Sequence, residues 1–239
     1  MGTVGIRGYT FSEEEIVFTR SKFPKLTLVS ESVWDGIIDI DATYNDIHIV
    51  DSFQVKIGVF RDFPTELPIV NEVGGRIKVI ADKYGITDYR DLHANPRTDT
   101  ICLCVKQEEK YKVPPGSTFV DFLNNLVVPY FFGLSYYEKN RVWPWGEYSH
   151  GGLGLLEYYS DNKVSLTSDD LELLTSNLKR DEKWKSYSKR LRDSNLSKKC
   201  VCGSEKPFNS CHTKAADGMS HVLSEVHRLH LSSYKLFKK

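Results

Sequence analysis

The sequence predicts an α+β fold: an antiparallel β-meander flanked by helices, followed by a smaller C-terminal module of different composition. Three observations carry this. Apolar and polar residues alternate with period two through 26–60, helical spacing and capping residues bracket that stretch, and the sign of the charge reverses near residue 178. The 239 residues, 40% hydrophobic and 12% aromatic, can bury a real core, which rules out global disorder. No apolar run approaches a membrane span, and MGTVGIRGYTFSEEE lacks the apolar stretch of a signal peptide. A soluble, cytoplasmic protein with no membrane partner is expected.

Ser12 is placed to cap a helix that carries Glu13, Glu14 and Glu15 at its positive end and runs towards Phe23-Pro24. The segments LTLVSESVW, GIIDIDATY and IHIVDSFQVKIGVF then read as half-buried strands. Ile38, Ile40 and Ala42 alternate with Asp39 and Asp41, and Val55, Ile57 and Val59 with Lys56 and Gly58. A short turn at Tyr44-Asn45-Asp46 joins two of them. Pro64, Pro68 and Gly74-Gly75 interrupt the pattern, and ADKYGITDYRDL reads as a polar excursion. From Ser117, a second predicted cap, Phe119, Phe122, Leu123, Leu126 and Val127 share one helical face, and Pro129 should end or kink that helix near Val128.

The stretch VWPWGEYSHGGLGLLEYY is too broken by glycine to predict a long element. TSDDLELLTSNLKR is a capped helix, DEKWKSYSKRLRDSNLSKK is basic and weakly apolar, and SHVLSEVHRLHLSSYKLFKK can form an amphipathic helix through Val222, Val226, Leu229 and Leu236. Residues 1–178 hold 17 Lys/Arg against 26 Asp/Glu, whereas 179–239 hold 15 against 6, which suggests two modules. Neither Gly74-Gly75 nor Gly151-Gly152 has the spacing of a phosphate loop. The basic end lacks an aromatic-interleaved stripe, so nucleic acid is not an expected partner.

Five cysteines, an odd number, do not make a disulfide scaffold. Cys200, Cys202, Cys211 and His212 are four ligands within thirteen residues, paired around a glycine-containing turn, which suits tetrahedral Zn²⁺. So short a segment has no core, and metal binding would supply its folding energy. His221, His227 and His230 make no second site by spacing. CVCGSEKPFNSCH resembles the SEC-C motif, the small zinc-binding tail of the preprotein translocase motor SecA. The resemblance implies these four ligands, a structural zinc and a protein-docking role, and a saturated site leaves no position for a catalytic water.

In the middle of the chain stand His93-Ala94-Asn95-Pro96, then RTDT, then Ile101-Cys102-Leu103-Cys104. In an extended segment Cys102 and Cys104 would point the same way. A cysteine in an apolar ICLCV run is read from its residues alone as packing rather than as a nucleophile. The order helix, four-strand meander, proline-rich turn, H-x-N, I-C-L, then a helix opening PPGSTFVDFL, resembles the ubiquitin-conjugating (E2, UBC) enzymes over roughly 10–160. That resemblance implies a UBC-like fold with Cys102 as the thioester-forming nucleophile, Asn95 positioning or stabilising the oxyanion, and His93 holding the loop. Ala94 stands where the family has proline, and Asn95 is one residue closer to the cysteine than usual. Cys104 replaces an acidic or amide residue and is a second thiol accepting the acyl group, a redox partner or simple packing, with packing favoured.

The long GGRIKVIADKYGITDYRDL stretch and PWGEYSHGG resemble the prokaryotic E2-like branch found in antiphage (CBASS-type) operons. This implies as partners an E1-like activating enzyme, a ubiquitin-like protein or CD-NTase-type nucleotidyltransferase whose C-terminus is transferred, and a target amine. The domains expected are an E2-like domain over 1–164, a helical basic linker over 165–195, the zinc motif over 196–215 and a basic amphipathic tail over 216–239, separable from about 196 onward. Glu147, Tyr148 and His150 are further polar candidates for the cleft, although such aromatic-glycine stretches commonly cap a core. The competing reading is a catalytically idle UBC-like adaptor that docks partners through its zinc tail; a thiol at the motif position favours the enzyme.

Overall fold

A computed structural model describes residues 8–95, 98, 100–192 and 196–237. Pro96, Arg97 and Asp99, expected in an exposed loop before Cys102, lie outside the described residues. The chain divides into two compact units, Met1–Gly146 and Glu147–Lys239.

The first unit is α+β. Helix α1 (Glu13–Lys22) begins with the expected cap, completed as a capping box: Glu15 N donates to Ser12 Oγ and Ser12 N to Glu15 Oε2. Strands β1 (Leu26–Ser30), β2 (Val33–Tyr44), β3 (Ile47–Gly58) and β4 (Ile69–Glu72) form one antiparallel sheet in the order β1-β2-β3-β4. The β2–β3 hairpin closes through Asn45 and Asp46, both at positive φ (46° and 62°), which matches the twist of the strands it joins. The alternation holds in the predicted phase: Trp34, Ile38 and Ile40 on β2 and Phe53, Val55 and Ile57 on β3 are buried, while Asp39, Asp41 and Lys56 face out.

Helix α2 (Arg76–Tyr84) occupies part of the stretch read as a polar excursion. It buries Ile77, Ile80 and Ala81, a short helical stripe hidden among charges, between Gly75 and Gly85 in left-handed conformations. After the single turn α3 (Glu109–Lys112), helix α4 (Phe119–Phe122) is capped by Thr118 rather than Ser117. The path does not end near Val128. A widened π-turn at Leu123–Val127 leads into α5 (Val128–Asn140), with Pro129 in its first turn, where a missing N–H costs nothing. The continuous 119–140 helix is buried on most sides and packs on the sheet, with Phe131 stacked on Phe53 and Phe119 on Trp34.

The second unit is helical: α6 (Gly152–Asp161), α7 (Ser168–Arg180), α8 (Trp184–Arg192), the single turn α9 (Phe208–Cys211), α10 (Thr213–Arg228) and the short α11 (Tyr234–Phe237). The glycine-broken stretch therefore does contain a three-turn helix. Helix α10 lies so close along α6 that a Cβ on Gly218 would fall 1.7 Å from the Leu156 carbonyl oxygen. Trp184, fully buried, donates its Nε1 to the Leu236 carbonyl at 2.9 Å. Residues from 196 onward thus contribute to this unit's core, and α6 belongs with them in the same unit rather than with the sheet. The charge reversal marks exposed faces only, and says nothing of which apolar faces are shared.

A chain stopped after Gly146 should keep a cooperative melt, whereas one stopped after Asn195 should leave 147–192 unfolded, with α6 stripped of α10. Limited proteolysis followed by mass mapping reads this. A resistant 147–192 fragment would contradict it.

Candidate functional site

The thiol site is built on the edge of β4. A tight 3₁₀ turn, Tyr89–Leu92, is capped by Asp88 and ends at His93, which turns left-handed (φ 49°). From there the chain doubles back on itself. Ala94 pairs with Ile101, Cys102 N donates to the His93 carbonyl at 2.7 Å, and Asn95 N to the Thr100 carbonyl at 2.8 Å. Ile101 N donates to the Val70 carbonyl of β4 at 2.9 Å, and Asn71 Nδ2 to the Thr98 carbonyl at 2.8 Å. From beneath, the buried Tyr130 of α5 donates its hydroxyl to the Leu92 carbonyl at 2.8 Å, and Trp143 Nε1 reaches the Asp91 carbonyl.

This register decides which side chains face solvent. Ala94 and Ile101 are buried, so alternation sends Asn95 and Cys102 to the opposite, exposed side. They are diagonal neighbours across the paired segment, a relation that puts such residues roughly 7–8 Å apart and their Cβ atoms somewhat closer. The His93 ring lies edge-on to Trp143 at 4.7 Å, and its carbonyl holds Cys102, which suits a loop-holding role. The chain bends at Cys104, so the two thiols do not share an environment: Cys102 is exposed, while Cys104 is half-buried against the core.

Cys102 donates weakly through Sγ to the Cys104 carbonyl at 3.6 Å. Although part of its surface meets water, the protein mass around the sulfur raises its pKa, and the Glu109 carboxylate raises it further. Burial and the charges of Glu109 and Glu108 push Cys104 much further up. Glu109, on α3, is paired with Lys106 at 2.5 Å. It was not visible as a site residue because no spacing links a glutamate on a one-turn helix to a cysteine seven positions earlier. The site holds an exposed thiol whose ionisation is disfavoured by the protein mass around it and by the Glu109 carboxylate.

The metal candidate lies in the second unit. Lys199 bridges to Pro207, and Cys200 N donates to the Lys206 carbonyl at 2.7 Å, closing a small knuckle around Gly203 (φ 95°). Only glycine takes that backbone conformation without strain. The chain then turns through α9, whose Phe208 is fully buried, so that Cys211 and His212 face back towards the knuckle. One ligand atom from each of Cys200, Cys202, Cys211 and His212 lies within 4.8 Å of all the others. Cys202 and Cys211 sulfurs are 3.5 Å apart, and Ser204 Oγ is 2.9 Å from Cys211 Sγ. His212 Nε2 is buried and meets no hydrogen-bonding partner at good geometry, although the imidazole interacts with the Cys202 side chain, which suits a ligand nitrogen. All four predicted ligands come together, and the cluster could hold a metal ion.

Glu147, Tyr148 and His150 fall in the second unit, where Asn162 Nδ2 contacts Tyr148 Oη at 3.4 Å. His221 contacts the Val164 carbonyl at 3.0 Å through Nε2. Among the described residues no helix is long and apolar enough to cross a membrane.

The chain matches no protein-family profile, no curated protein and no solved structure.

The raised thiol pKa gives a direct expectation. Alkylation of Cys102 by iodoacetamide, followed on its own peptide by mass spectrometry, should be slow at pH 7. It should climb about tenfold per pH unit without levelling near 8.5, the ordinary thiol value. Glu109→Gln should move the curve to lower pH. A plateau below pH 8 in the unaltered protein would contradict this.

Proposed function

We propose that the first unit is an E2-like acyl carrier of UBC-like fold. The observation that carries this reading is the exposure of Cys102 on the same side of the paired segment as Asn95. A thiol meant only for packing would face inward, as Ile101 does. An α1–meander–thiol–long-helix order also agrees with the resemblance drawn from the sequence.

In the reaction proposed, the Cys102 thiol gives up its proton and attacks the thioester carbonyl of a protein C-terminus delivered by an E1-like enzyme. The donor thiol leaves with a proton, and the acyl group now rests on Cys102. A target amine then attacks that carbonyl. The new N–C bond forms as the C–S bond breaks, the amine loses a proton, and Cys102 is restored. Asn95 is neutral, so it can donate to the developing oxyanion without repelling the incoming amine. A raised thiol pKa makes the Cys102 thiolate a slower leaving group, so the acyl group, once loaded, is held until a target amine attacks. The resemblance to antiphage E2-like proteins makes a ubiquitin-like protein or a CD-NTase-type nucleotidyltransferase the proposed acyl donor.

The second unit is proposed to hold one structural zinc through Cys200, Cys202, Cys211 and His212, and to dock a partner protein. Three thiols and one imidazole select zinc over hard cations, and four protein ligands leave no open position for chemistry. An idle adaptor would need the zinc unit alone. The exposed thiol weighs against that.

Two outcomes are expected. With a synthetic peptide α-thioester as donor, Cys102→Ala should form no adduct, and Asn95→Ala should charge nearly normally but pass its acyl group to free lysine about 10²–10³-fold more slowly. Intact-mass spectrometry with and without hydroxylamine reads both steps, and a labile adduct persisting in Cys102→Ala but absent from Cys104→Ser would move the nucleophile to Cys104. Separately, metal analysis of the purified protein should give near one zinc per chain, lost in Cys200→Ser. Equal occupancy with Cys200, Cys202 and Cys211 all replaced would overturn the zinc assignment.

A further inference from the structure

The two ring nitrogens of His212 have different fates. Nε2 is buried and makes no hydrogen bond, which leaves it as the nitrogen available to the cysteine cluster that His212 joins. Nδ1 faces a buried carboxylate, Glu157 Oε1, at 3.3 Å, and Ser149 Oγ at 3.4 Å. Glu157 is itself fixed: Ser149 N donates to its Oε2 at 2.6 Å and Ser149 Oγ to its Oε1 at 2.8 Å. It sits on α6, 55 residues before His212, with 8% of its surface exposed. A carboxylate so buried needs a purpose for its charge, and each of its oxygens is aimed at Ser149 or the imidazole.

From this geometry we propose that Glu157, held by Ser149, is a positioning residue for the metal centre. It keeps the proton of His212 on Nδ1 and the lone pair of Nε2 turned to the cysteines. A carboxylate on the far nitrogen fixes the tautomer and ring orientation of a ligand histidine and raises its basicity. The consequence reaches beyond the CVCGSEKPFNSCH segment. The metal centre is then completed by α6, and metal loading is a property of the whole Glu147–Lys239 unit. A site confined to the knuckle would place no demand on residues 149 and 157. This inference rests on the metal reading above.

The test is competition for zinc between the full-length protein and a chromophoric chelator. Glu157→Gln keeps shape and hydrogen-bonding reach but removes the charge. It should weaken zinc binding about 10–100-fold while leaving helicity by circular dichroism unchanged. With Co²⁺ as the probe, its visible ligand-field bands should shift in Glu157→Gln, a change that loss of packing in a loaded site would not produce. Ser149→Ala, which frees the carboxylate without discharging it, should give a smaller loss of affinity. It serves as the readout should Glu157→Gln not fold. In a His212→Cys background, where no imidazole remains to orient, Glu157→Gln should have no effect on affinity. Unchanged zinc affinity in Glu157→Gln and Ser149→Ala, beside a wild type that binds zinc, would overturn the positioning role alone. Failure of the wild type to bind zinc or Co²⁺ at all would overturn the metal reading beneath it.

Discussion

The thiol site depends on the register of one short paired segment. Ile101 donates its N–H to Val70 on the edge of β4 and buries its side chain, and the next residue is therefore turned outward with its own N–H tied to His93. A slip of one residue would exchange the two, burying the thiol and exposing the isoleucine. Each hydrogen bond contributes only about 0.5–1.5 kcal/mol net. The stronger constraint is therefore Ile101: fully burying such a side chain is worth about 1.5–3 kcal/mol, and the slip would forfeit it. The helix beneath reinforces the choice. Tyr130 fixes the Leu92 carbonyl from a fully buried position, so the turn that feeds His93 into the pairing cannot shift without leaving a polar group unsatisfied.

A different logic governs the second unit. The knuckle around Gly203 has Phe208 as its one large buried side chain, with Cys200 also buried and most other residues exposed. What surrounds it is a helical core, in which the contact of Gly218 with the Leu156 backbone brings α10 against α6. Helix α6 carries Leu156 and Glu157 side by side. The first meets α10 through its backbone, and the second meets His212 at the start of α10. Helix packing and ligand orientation are thus set by neighbouring residues on one helix.

Much of the first unit was legible because its signals are local. Ser12 with Glu15 forms the capping box, Asn45-Asp46 supplies the hairpin turn, and the alternation around Ile38 and Ile57 has the observed phase. Helix α2 was hidden because only Ile77, Ile80 and Ala81 of its nine residues are buried, a weak stripe, though Gly75 and Gly85 mark its ends. The passage through Pro129 depends on a π-turn, which leaves no trace in composition. Helix α6 was lost to its glycines, yet Gly154 is there because a Cβ would strike the Ser149 carbonyl at 1.6 Å. The four metal-ligand candidates could be named from spacing. Glu157 could not, since a contact across 55 residues exists only in the fold; its one sequence signal is a lone acid within the apolar GLGLLEYY.

The claim that matters most is that Cys102, among five cysteines, is the residue that carries an acyl group. Incubating the intact protein with a peptide α-thioester, trapping at mildly acidic pH and mapping the acylated peptide by mass spectrometry tests it in one step. The account predicts acylation on Cys102, with Cys104, Cys200, Cys202 and Cys211 unmodified. Acylation concentrated on any of those four, with Cys102 left free, would contradict it.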